Sequence, residues 1–231
     1  MIIKPSTVGG LMNTFLKILV ILVFSTPSFA QDREIAVPAL PSDYLKVPLI
    51  YQATDYSCGA AALMSVLYYW GAFDGKETDL YKDLDTTTEG THPQKMAQLA
   101  RAIGLQARVR LYTTLHELEV ALANGETVIL DIQAWPDTDG PEAGLPWPLV
   151  WESGHYVVLV GMDDHYAYFM DPSLMNAHGY IPLMELIERW HDYETSADPV
   201  NKFKRWNNVN LAIFINGISA PQTFETLSRI E

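Results

Sequence analysis

Cys58 is the single cysteine of the chain and sits in the run Gln52-Ala53-Thr54-Asp55-Tyr56-Ser57-Cys58-Gly59-Ala60-Ala61-Ala62. From Cys58 to Trp70 apolar residues recur at helical spacing, and Gly71 follows where a helix commonly ends. The thiol thus opens a predicted helix, where unpaired backbone N–H groups and the macrodipole favour an anion. Thiolate is the nucleophilic form of cysteine, and a helix N-terminus together with a neighbouring imidazolium promotes it. Gly59 and the three alanines are expected to leave room for a substrate backbone and for close packing beneath the nucleophile. A buried structural cysteine would account for the apolar helix but not for the glycine and glutamine around it.

A thiolate nucleophile needs a base, a group to orient that base, and donors for the oxyanion formed in acyl transfer. Of the six histidines, His155 opens the apolar run His155-Tyr156-Val157-Val158-Leu159-Val160 and follows Gly154, which permits a close approach by the helix terminus. His165, His178 and His92 read as solvated turn residues, while His116 and His191 fall on or beside helices. Asp171 follows the next predicted strand, Tyr166–Met170, and precedes Pro172; a hairpin around 161–165 would bring it beside His155. Asp-Pro also simply begins turns. Gln52 lies six residues before Cys58 on an extended lead-in. Its side-chain amide and the N–H of Cys58 together would supply two oxyanion donors. Taken alone, it is also an ordinary exposed loop residue.

The elements that must position these groups are legible in outline. Further helices are expected at Pro93–Ile103, with Thr91 and Gln94 at capping-box spacing, at Leu115–Ala123, with Thr114 and Glu117 likewise, and at Leu183–Trp190. Short β-branched or aromatic runs at Gln106–Tyr112, Thr127–Ile132, His155–Val160, Tyr166–Met170 and Val209–Ile215 read as strands. Early helices followed by mostly sequential strands imply an α+β domain, helices segregated from an antiparallel sheet. The segment Ala134–Ser153 stands apart, holding Trp135, Trp147, Trp151 and four prolines. It reads equally as a lid or binding loop and as a plug of Trp rings at one edge of the core.

Composition sets the outer limits. The 231 residues are 48% hydrophobic and 19% charged, enough for one packed domain. Residues 1–30 begin with Lys4 and Lys17, continue through the apolar run Ile18–Phe24 and end at Ser28-Phe29-Ala30, as a cleaved export signal does. The apolar run falls short of the roughly 20 residues that span a bilayer, so no stable membrane insertion is expected after cleavage, the alternative being an uncleaved anchor. The expected organisation is a signal peptide at 1–30, an extended lead-in at 31–46, a catalytic domain at 47–216 and a tail at 217–231. Net charge is −13, and −15 without the first thirty residues, which carry two lysines and no acid. That excess of negative charge argues against nucleic-acid binding. A single cysteine cannot form an intrachain disulfide, and the histidines lack metal-ligand spacing, so no metal is expected. Cys58 is then a free thiol, a cross-link to another chain, or an inert core residue.

Four segments together carry a resemblance: Val47-Pro48-Leu49-Ile50-Tyr51-Gln52, Ser57-Cys58-Gly59-Ala60-Ala61, Gly154-His155-Tyr156-Val157-Val158 and Asp171-Pro172-Ser173. In order and separation, including the sixteen residues from His155 to Asp171, they resemble the papain-like cysteine peptidases of the bacteriocin-leader, or double-glycine, family, family thirty-nine of the cysteine peptidases. The stretch from Glu89 to Leu105 is similar to that family's second helix. The resemblance implies a two-lobed papain-like domain, N-terminal helices packed on a C-terminal antiparallel sheet. It implies Cys58, His155 and Asp171 as triad, Gln52 as oxyanion-hole residue, no cofactor, and a peptide or protein substrate. Ser57 stands where many members have Asp. Leader-trimming members are usually fused to a transporter and work inside the cell, whereas the export signal here points to a secreted or envelope polypeptide. The same triad would serve an amidase or acyl transferase; a peptide-binding module without catalysis and a Cys58-linked dimer are the non-enzymatic alternatives.

Overall fold

β-Branched and aromatic runs too apolar to face water on either side require a sheet covered on both faces. The computed structural model describes residues 37–198 and 202–217 and shows such a sheet. The order along the chain is α1 Cys58–Tyr69, α2 Glu77–Leu84, α3 Pro93–Ala102, β1 Gln106–Arg110, α4 Leu115–Ala123, β2 Thr127–Gln133, a 3-10 turn Trp147–Leu149, β3 Gly154–Met162, β4 Tyr166–Met170, β5 His178–Pro182, α5 Leu183–Arg189, β6 His191–Asp198, β7 Lys202–Val209 and β8 Ala212–Asn216. Six strands form an antiparallel sheet in the order β1-β8-β2-β3-β4-β5, and β6 and β7 form a separate ribbon. The expected α+β architecture is therefore the one found. The expected signal peptide, residues 1–30, and all but the first residue of the 217–231 tail lie outside the described residues. Among the described residues no helix is long and apolar enough to cross a membrane.

Alternation along the strands divides the core in two. Tyr156, Val158 and Val160 of β3 pack with Leu63, Val66 and Leu67 of α1 and with Met96 and Ala100 of α3. Val157 and Leu159 pack with Leu118 of α4 and Leu186 of α5 on the other face. A one-residue slip of β3 would exchange both sets. At its far end α1 is pinned by a buried relay: Trp70 Nε1 donates to Thr127 Oγ1 at 3.1 Å, and that hydroxyl donates to Ile215 O at 2.8 Å.

Several expected elements are revised in detail. Helix α3 is not capped by a Thr91–Gln94 box: His92 is the N-cap and accepts from Gln94 N at 3.4 Å, while Thr91 is buried against Thr86. The Thr114–Glu117 box on α4 does form. The run 209–215 is two strands, not one, because Asn210 takes a left-handed φ of 48° between β7 and β8. Helix α2 went unread: only Leu80 and Leu84 on one face are apolar and buried, and it ends at Asp85 in a left-handed conformation with no glycine to mark it.

Thr127→Val keeps the shape of the side chain and leaves the buried Trp70 N–H without a partner, which costs about 1–3 kcal/mol. Urea unfolding of the variant is expected to show that loss; an unchanged midpoint would mean the relay does not hold α1 to the sheet.

Candidate active site

Helix α1 begins at Cys58, which is buried. Its N-cap, Ser57, does not cap the helix with its side chain. The hydroxyl instead accepts from Thr54 N at 3.0 Å and donates to Thr54 O at 3.2 Å, closing the turn that enters the helix. No acidic side chain occupies the first turn. The terminal N–H groups of α1 are thus left free of side-chain caps, available to the Cys58 thiolate or to a developing oxyanion. Gly59 serves packing and not substrate access: a Cβ there would lie 2.8 Å from Thr91 Cβ and 3.1 Å from Tyr156 Cδ2.

The antiparallel turn at residues 163–165 carries Asp171, just past β4, back to His155 on β3. His155 Nε2 and Asp171 Oδ1 are 2.7 Å apart, with both residues buried. This leaves Nδ1 as the nitrogen that addresses Cys58. Asp171 also accepts from Ser173 N at 2.8 Å and, on Oδ2, from Trp135 Nε1 at 3.1 Å. Burial alone pushes the Asp171 carboxyl up, but the hydrogen bond and charge of His155, with these two further donors, hold it below the usual carboxylate range. Burial likewise pushes the His155 imidazole down; hydrogen bonding and charge from Asp171 and Cys58 outweigh it and raise the ring to about 9.

Gln52 borders the same cleft as Cys58 and His155, a space of about 350 Å³. Its backbone N–H donates to Pro172 O at 3.0 Å, and its Oε1 accepts from Ser173 Oγ at 3.3 Å. Nε2 donates one hydrogen to Thr54 O at 2.7 Å, which leaves the second for a ligand oxygen. Of the four residues singled out in the sequence, Cys58, His155 and Gln52 border one cleft, while Asp171 does not line it and is joined to it through His155. Asp55, Asp137, Glu142 and Glu152 line the cleft too, with no lysine or arginine among its lining residues.

Three parts of the site were not anticipated. Trp135, in a left-handed conformation at φ 54° and largely exposed, covers Asp171 from the long loop. Beneath the cleft lies a second carboxylate group. Asp131 is fully buried, and burial first, then the charges of Asp192 and Glu194, raise its carboxyl well above the usual range; Asn208 Nδ2 donates to its Oδ2 at 3.5 Å. Burial also raises Asp192, and burial followed by the Asp192 charge lifts Glu194 to about 7. Asp192 backs Gly154, where any Cβ would collide with its carboxylate. The close approach allowed by Gly154 is thus made by β6, not by the helix terminus. Gln133 ties this group to the site, donating to His191 O at 3.0 Å and Asp192 Oδ1 at 3.1 Å while accepting from Ser153 N at 2.9 Å. A strand acid on β2 and a polar strand β6 show no pattern in sequence that separates them from ordinary edge residues.

The remaining histidines are more structural than expected. His178 starts β5 and packs edge-on against Tyr44, with ring centroids 5.3 Å apart. His191 starts β6, bonds Val150 O at 2.8 Å and packs against the Trp151 ring at a centroid distance of 4.3 Å and a tilt of 46°, fastening the long loop to the domain. His165 does sit in the β3–β4 turn and His116 on α4.

A sheet-borne histidine and aspartate set against a cysteine at a helix start, within this α+β fold, define a papain-like cysteine-peptidase domain. A family model described as the Peptidase_C39 like family matches residues 44–198, and the chain belongs to that family. Among solved structures, a protein from Bacillus anthracis described as a C39-like peptidase aligns with a TM-score of 0.53 at 17% identity, covering 77% of this chain and 96% of that one. The peptidase domain of Streptococcus ComA, a bifunctional ABC transporter involved in quorum sensing, aligns at 0.51 and 18% identity, covering 74% and 98%. A double-glycine-motif protease from an AMS/PCAT transporter, solved with its leader peptide, aligns at 0.49 and 22% identity, covering 75% and 94%. No curated protein matches the chain.

The value of about 9 lies above the ordinary 6.5 for histidine. The protonated ring therefore contributes its stability in full below about pH 6.5, and that contribution is lost as pH rises through about 9. With a peptide substrate, kcat/KM is expected to fall on an alkaline limb near pH 9; a limb near 6.5 would mean that Asp171 and Cys58 do not hold the proton on His155.

Proposed function

We propose that the protein is an exported thiol peptidase that hydrolyses a peptide bond of a secreted or envelope polypeptide. One observation carries the reading: His155, held by a buried hydrogen bond of 2.7 Å to Asp171, borders the same cleft as Cys58, at the start of α1, and Gln52. Membership of the family supports peptide-bond chemistry, and the basic, apolar, small-residue pattern of residues 1–30 supports export.

In this mechanism the Cys58 thiolate attacks the scissile carbonyl carbon, forming a C–S bond and an oxyanion. The free N–H of Gln52 Nε2 and the backbone N–H of Cys58 receive that charge. As the C–N bond breaks, His155 Nδ1 gives its proton to the departing amine. His155 then takes a proton from water, the hydroxide attacks the thioester, and the acid product leaves with Cys58 restored as the thiolate. Asp171 keeps the imidazole oriented and stabilises its charged form without taking the proton. Ser173 and Trp135 hold Asp171 in place. The four acids of the cleft wall favour a substrate segment carrying positive charge.

Cys58→Ala is expected to abolish turnover of a peptide substrate with the fold intact. Gln52→Ala should lower kcat by about 10²–10³, as loss of one oxyanion donor does. Steady-state rates and circular dichroism on the two variants decide the matter, and retention of wild-type activity by Cys58→Ala ends the proposal.

A further inference from the structure

Behind Trp135 lies a second and larger cavity of about 580 Å³, walled mainly by apolar side chains. It shares Ala134 and Trp135 with the acidic cleft, while Cys58, His155 and Gln52 border the cleft alone. The Trp135 ring, tethered to Asp171, forms the partition between the two. Arg189 reaches into the cavity from α5, its guanidinium 4.5 Å over the Trp147 ring and 3.5 Å from Glu185. Its Nε, and Nε2 of His178, another lining residue, are buried without a hydrogen-bond partner among the described residues. A mainly apolar space of this size, with a few polar groups lacking partners, has the make-up of a ligand site. Burial of a donor without a partner is costly and is relieved when a ligand supplies the acceptor.

The position of the cavity tells which part of a substrate reaches it. With the acyl carbon on Cys58 and its oxygen toward Gln52, the departing nitrogen faces His155. The chain beyond that nitrogen passes over the His155–Asp171 pair and meets Trp135. We propose that the cavity formed by Trp135, Trp147, Phe169, Leu174, Ile181 and Arg189 is a leaving-group-side subsite that selects a large aromatic residue just after the scissile bond. The inference rests on the peptidase reading of the cleft. Tyrosine suits the cavity best, since its ring fills apolar space and its hydroxyl offers an acceptor to Arg189 Nε. The loop 134–153 thereby acquires a role that neither a simple core plug nor a free lid describes. Ala134 N bonds Ser153 O at 2.9 Å to close its base, Glu142 accepts from Trp151 N at 2.7 Å and Glu152 N at 3.1 Å across it, and two of its three Trp rings then stand along the substrate path.

The test uses the full chain on peptides from a proteome digest, with new N-termini read by mass spectrometry. Aromatic residues are expected to be enriched several-fold at the first or second position after the cut. For two fluorogenic peptides differing only there, kcat/KM should be at least ten-fold higher with Tyr than with Gly. Trp147→Ala and, as a milder second change, Leu174→Ala should bring that ratio toward one. Cleavage without such preference, or a ratio indifferent to both substitutions, overturns the subsite and leaves the peptidase reading standing. Dansyl-tyrosine amide binding to Cys58→Ala separates the remaining case. If the probe binds and loses affinity in Cys58→Ala/Trp147→Ala, yet wild type cuts no peptide, the cavity is a ligand site and both the peptidase reading and the subsite fall.

Discussion

The antiparallel pairing of β3 with β4 is the constraint on which the site depends. Register between Val158 and Met170, set by burial of alternate side chains on two faces, fixes where the strand ends lie. His155 leads into one strand and Asp171 leaves the other, so a three-residue turn of no chemical interest delivers the pair to hydrogen-bond distance. Strand pairing positions such groups more tightly than loops can, and the rings and donors around them do the rest. Ser173 N shares Oδ1 of Asp171 with His155 and Trp135 Nε1 holds Oδ2, so the carboxylate has little freedom to turn.

The opposing half of the site depends on α1, and its sequence is shaped by two demands at once. The helix must lie close to β3, which makes Gly59 necessary against Thr91 and Tyr156. It must also offer unpaired N–H groups at its start, which Ser57 permits by turning its hydroxyl back to Thr54. The buried Asp131–Asp192 pair works in the opposite electrostatic sense, placing acid near a site that handles negative charge. Burial and the neighbouring acids raise Asp131 well above the usual carboxylate range, which disfavours its charged form and reduces that conflict. The same group fixes Gly154 and, through Gln133, Ser153, the two residues leading into His155.

The candidate site was more legible in the sequence than the scaffold was. Cys58, His155 and Asp171 could be chosen because each stands at the edge of a strongly patterned element, and Gln52 because its spacing to Cys58 is local. Strands β2, β3 and β4 announced themselves through continuous apolar runs buried on both sides. Strands β6 and β7 did not, since they pair chiefly with each other and their polar sequence carries no period-two signal. Helix α2 escaped for the same reason, a single Leu80–Leu84 pair being too little to declare a face. Trp135 was visible as part of an unusual loop, but its bond to Asp171 spans thirty-six residues and depends on a left-handed backbone that no propensity favours for tryptophan. The buried acids were illegible because a strand aspartate acquires its meaning only from what folds over it.

The central claim is that His155, oriented by Asp171, acts on Cys58. The most direct measurement is the rate of Cys58 alkylation by iodoacetamide at neutral pH, compared between wild type and His155→Ala, both checked for native fold. Wild-type labelling at least ten times faster than the variant is the result the account predicts. Equal rates in the two proteins would contradict it, and would leave Cys58 as an ordinary thiol at the start of a buried helix.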